Sequence, residues 1–76
     1  MMAVRLPRLK AEEVDHILLK HGFVSVSQRG SHQKWRNFTT GRLTIVPYHQ
    51  DKEMPAGTLK SIIHGSGIPE EEFLRP

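Results

Sequence analysis

A chain of 76 residues with a formal charge of +3 and no cysteine makes a single small domain, residues 1–76, without space for two cores or a large buried substrate cavity. The missing cysteines exclude a disulfide framework and a thiolate metal site. Apolar residues at 37% and charged residues at 25% describe a compact globule, and no apolar run approaches the roughly 18 residues of a membrane span. Because Met1-Met2-Ala3-Val4-Arg5-Leu6-Pro7 lacks the apolar stretch of a secretion signal, the expected location is the cytoplasm.

Leu9 to His21 reads as a helix, with Val14, Ile17, Leu18 and His21 at i, i+3, i+4 and i+7, one stripe against a core. Glu12, Glu13 and Asp15 near its start and Lys20 near its end complement the helix dipole, and Gly22 supplies the stop. Phe23 to Gln28 alternates, Val24 and Val26 against Ser25 and Ser27, as a half-buried strand does. Arg29-Gly30-Ser31 is a short turn into a second strand, His32 to Phe38. Thr39-Thr40-Gly41 is a hairpin-sized connection to a third, Arg42 to Val46, on which Leu43 and Ile45 share a face; Pro47 ends it.

Tyr48 to Ala56 is polar loop. Thr58 is placed to cap a helix from Leu59 to about His64, with Leu59, Ile62 and Ile63 at core spacing and Gly65 and Gly67 as the stop. Pro69 opens a short terminal helix whose Phe73 and Leu74 dock on the core. The predicted architecture is α+β, in the order α-β-β-β-α. Hairpin-length connections make the three-stranded sheet antiparallel, with both long helices on one face.

The charges are segregated. Lys20, Arg29, Lys34, Arg36 and Arg42 lie between Asp15 and Asp51, and no carboxylate lies among them. Such a segment attracts a polyanion. On the second strand the period of two decides which residues act together. Trp35, the largest apolar group, belongs under the helices, which sends His32, Lys34 and Arg36 to the open face. A solvated Lys/Arg face would carry the same pattern. What favours a site is one imidazole, which exchanges protons near neutral pH, beside two fixed cations.

RNA suits this arrangement because it brings its own nucleophile, the 2′-hydroxyl. Cleavage by internal attack needs little beyond a proton acceptor and neutralisation at the phosphate. Gly30 lets a phosphate approach the main chain without a Cβ in the way. Ser31 can donate to phosphate or to its own turn, and Arg29 adds a third cation. With the tryptophan assigned to the core, the open face offers no obvious platform for stacking bases, so weak base preference is expected.

Of the other histidines, His16 and His21 belong with the first helix and His64 suits a helix C-terminus. His49 follows the third strand and is an accessory candidate. No pair has the His-x-x-x-His spacing of a helical zinc site, so neither a metal nor another cofactor is expected.

Gly30-Ser31-His32, the run Val46-Pro47-Tyr48-His49, and Glu53 followed by Gly57-Thr58-Leu59 together resemble the HicA-type mRNA interferase toxins. The resemblance runs from Gly22-Phe23 through Ile63 and reaches the tail near Phe73. It implies a fold like the double-stranded-RNA-binding domain, ribosome-independent cleavage of mRNA, and control by a HicB-type antitoxin. It also places the family's catalytic histidine on His32 and its Gly-Ser positions on Gly30 and Ser31. The chain departs from the family where Phe38-Thr39-Thr40-Gly41 replaces a Pro-Gly or Asp-Gly tip, and at Trp35, where a smaller side chain is more usual.

The expected function is thus a metal-independent endoribonuclease acting as a toxin, with His32 catalytic and Arg29, Gly30, Ser31, Lys34 and Arg36 binding RNA. A non-catalytic RNA-binding module would use the same surface, though a pure binder has no need of a proton-exchanging group at position 32. A basic face that meets only an acidic protein is the third reading.

Overall fold

The structure is a computed structural model and describes residues 6–49 and 52–74. The first helix, α1, spans Ala11–Lys20. The Glu13 carboxylate accepts the Lys10 backbone N–H at 3.0 Å, satisfying a donor that the helix start leaves open. Ala11, Val14, Ile17 and Leu18 are its buried side, the stripe the spacing requires. His21 is the C-cap, and Gly22 at φ +87° turns the chain so that Phe23 N–H reaches the Leu18 carbonyl at 2.9 Å.

Three strands follow: β1 Val24–Arg29, β2 His32–Arg36 and β3 Leu43–Pro47. They form one antiparallel sheet in the order β1-β2-β3. Trp35, Thr44 and Val46 are buried, while Lys34, Arg36, Leu43 and Ile45 beside them are exposed, so the sheet has one covered and one open face. Leu43 and Ile45 do share a face, and it is the open one. Both helices pack mainly on β3. That leaves β1 uncovered at the edge, and every residue in it is exposed. The strand expected from its alternation forms, but without the buried face that the alternation implied.

The second long helix, α2, spans Ala56–Ser66, beginning a turn earlier than expected. Pro55 rather than Thr58 is the N-cap, and its carbonyl accepts Leu59 N–H at 3.0 Å; Pro55 has no amide hydrogen, which an N-terminal turn cannot pair in any case. Gly65 is helical, and Gly67 alone ends the helix, in the left-handed region at φ +70°. A short 3₁₀ turn, Glu70–Phe73, delivers the fully buried Phe73 to the core. The loop before α2 is less loose than its polarity suggests: Met54 is buried, and its N–H donates to the Leu9 carbonyl at 2.7 Å. The core gathers Val14, Leu18, Phe23, Trp35, Leu59 and Phe73 between helices and sheet.

Candidate functional site

The open face is built on β2, the central strand. Its register sets His32 opposite Pro47, Lys34 opposite Ile45 and Arg36 opposite Leu43 on β3. On β1 a bulge between Ser25 and Ser27 shifts the pairing, so Arg29 lies opposite His32 and Ser27 opposite Lys34. Val24–Arg36 pairing continued without the bulge would bring Gln28 to His32 and turn Arg29 toward the other face. One inserted residue therefore decides whether the third cation joins the histidine.

Arg29, His32 and Lys34 come together in a shallow groove of about 890 Å³, completed by Ser27, Gln28 and Ile45. Gly30 and Ser31 form the two-residue turn at its end. Gly30 has φ +59° and open space where a Cβ would project, a conformation that tight hairpins favour. The Ser31 carbonyl accepts Tyr48 N–H at 2.6 Å, binding the turn to the end of β3. Arg36 lies further along the strand, its guanidinium 5.3 Å from the centre of the Phe38 ring. His49 is exposed beyond β3 and does not line the groove.

Lys34 and Arg36 have no carboxylate partner among the described residues, whose ion pairs are Arg8 with Glu53 and His21 with Glu72. Unneutralised cations on an open surface raise the local anion concentration. Arg42 serves elsewhere, donating to the His64 carbonyl at 3.4 Å at the end of α2. Among the described residues no group of three or more His, Cys, Asp or Glu is placed to hold a metal ion, and no helix is long and apolar enough to cross a membrane.

Gln28 and Ile45 of the groove, with Ser27 and Phe38, escape sequence reasoning. Ser27 joins the groove only because of the bulge, which nothing in Val24-Ser25-Val26-Ser27 announces. Phe38, assigned to the end of a strand, is 71% exposed and supplies the aromatic surface that the buried Trp35 cannot. Parity did hold a signal: Phe38 continues the series of His32, Lys34 and Arg36.

A small α+β domain with a basic, histidine-bearing open sheet is the class that fold and site define. The family model described as HicA toxin of bacterial toxin-antitoxin matches residues 11–68, and the chain belongs to that family. No curated protein matches the chain.

Proposed function

We propose that this toxin is an endoribonuclease that cleaves mRNA by internal attack, with His32 as the proton acceptor. The observation that carries the reading is the meeting of Arg29, His32 and Lys34 in one groove at the head of the central strand. The imidazole takes the proton of a 2′-hydroxyl, whose oxygen bonds to the adjacent phosphorus while the bond to the 5′-oxygen breaks. Water entering the open groove protonates that leaving oxygen. The products are a 2′,3′-cyclic phosphate and a 5′-hydroxyl. Lys34 and Arg29 neutralise the charge that gathers on the phosphoryl oxygens.

Proton transfer by one positioned side chain typically contributes about 10²–10⁴-fold, so the enzyme is slow. Family membership brings an antitoxin partner. Exposed Val24, Leu43 and Ile45 interleave with the cations and suit a HicB-type antitoxin that covers the site as it inhibits.

His32→Ala is expected to abolish RNA cleavage and growth arrest while leaving the fold intact, since residue 32 is exposed. The test compares induced wild type and variant for growth and transcript integrity, then examines the termini of the cut RNA. Activity should persist in EDTA, yield cyclic or 3′-phosphate ends, and fail on 2′-O-methylated RNA. A variant as toxic as wild type at equal expression removes His32 from the mechanism; 3′-hydroxyl ends or loss of activity on chelation remove internal attack.

A further inference from the structure

We propose that Phe38, with Arg36 against its ring, is a nucleobase-stacking subsite of the open face, distinct from the phosphate-binding end at Arg29, His32 and Lys34. The inference rests on the RNA-cleaving reading and extends it.

The open face is not uniform along its length. At one end, His32 has Arg29 and Pro47 as cross-strand neighbours, and the groove is cationic. At the other, Arg36 stands between Val24 and Leu43, each 44% exposed, so a single cation sits in apolar surroundings. Phe38 is the most exposed of the large apolar residues among those described. One isolated exposed phenylalanine on a soluble protein requires no explanation. This one adjoins a guanidinium that has no carboxylate partner among the described residues, on the face that carries the cations. A planar cation and an aromatic ring together offer what an unstacked base uses, a π surface and a charge beside it.

The platform is also held in place. Asn37 is buried, and its Oδ1 accepts the backbone N–H groups of Thr39 and Thr40 at 2.9 and 3.1 Å. Its Nδ2 donates to the His21 carbonyl at 3.0 Å. Phe38 lies between Asn37 and the residues Asn37 ties down, so its backbone is positioned before any ligand arrives. Arg36 is four residues from His32, about 13 Å along the strand. The stacked base is therefore not the nucleotide whose 2′-hydroxyl reacts, and any preference the subsite adds is a modest one, read at a base some way from the cut. Stacking tolerates every base and favours the larger ring systems.

The test uses 2′-O-methylated single-stranded RNA on the order of eight nucleotides long, carrying one 2-aminopurine moved through the sequence. Wild type should quench the fluorescence strongly at one position. Phe38→Ala and Phe38→Leu should lose that quenching and weaken binding by about fivefold or more, with the dependence of affinity on salt unchanged because the ring carries no charge. Phe38→Trp should retain both properties. Wild-type affinity in Phe38→Leu with a loss in Phe38→Ala would overturn stacking, since leucine keeps the apolar contact and lacks the π face. Wild-type affinity in both Phe38→Leu and Phe38→Ala, with RNA still bound, would overturn the subsite altogether and give the ring to a protein contact. Failure of wild type to bind RNA would overturn the nuclease reading and the subsite together.

Discussion

His32 and Lys34 lie on one strand two residues apart, and the pleat alone puts them on the same face. Their roles separate by chemistry: an imidazole exchanges a proton, whereas an ammonium is a point charge for phosphate. Lys34→Ala is therefore expected to weaken binding by a similar factor on every RNA sequence, because a backbone contact holds no base information. In a salt titration on 2′-O-methylated RNA, the slope of log affinity against log salt should fall by about 0.7, the share of one released counterion on a single strand. A slope equal to that of wild type would put the RNA path elsewhere. The contrast with Phe38, whose loss should change affinity and not slope, separates the two ends of the face by experiment.

Among the elements, the connection from β2 to β3 depends most on one side chain. Asn37 accepts two backbone N–H groups from its own loop and donates to the last carbonyl region of α1 at His21. It also pairs through its backbone, donating to the Arg42 carbonyl at 2.9 Å and accepting Gly41 N–H at 2.8 Å. A helix end and the whole connection between β2 and β3 thus share a residue. Asn37→Ala removes three side-chain hydrogen bonds in a partly buried place and should cost about 2–3 kcal/mol, a fall in Tm of roughly 8–24 °C for a domain of this size. Asn37→Asp keeps the acceptor and loses the donor to His21, and should fall between. Thermal melts of the three proteins measure the ranking; an Asp variant no better than Ala would mean that the link to α1 outweighs the loop.

For the whole molecule, α1 carries a carboxylate where the core would favour a neutral group. Burial pushes Asp15 up to about 6, with the nearby Glu12 charge adding to the shift and His16 opposing it. One of its oxygens, Oδ1, is buried with no hydrogen-bond partner. An acid raised in the folded state binds more protons there than in the unfolded chain, so stability falls as pH rises from about 4 through about 6 and stays lower above. Because the side chain is partly solvated, the loss is on the order of 1 kcal/mol. Asp15→Asn should flatten stability between those pH values and raise Tm at pH 7.5 by roughly 4–8 °C. Denaturant melts across that range decide it; equal pH slopes in the two proteins would place the carboxylate in water.

Much of this was legible in the chain, because local rules sufficed for it. The apolar stripe of α1, the Gly22 stop, the turn at Gly30-Ser31 and the parity that buries Trp35 and exposes His32, Lys34 and Arg36 all depend on residues a few positions apart. The same parity put Leu43 and Ile45 together, but local pattern does not say which face of a sheet the helices will cover. That choice belongs to packing: both helices settle on β3, β1 is left as an uncovered edge, and the alternation of Val24 and Val26 buries nothing. Thr58 is a good capping residue that the longer helix passes over, since Pro55 and the buried Met54 set where α2 meets the core. The composition of the groove was decided at the same level. A bulge in β1 turns Arg29 and Ser27 toward His32 and Lys34, and its energy lies in the register between two strands, which no single stretch of sequence contains.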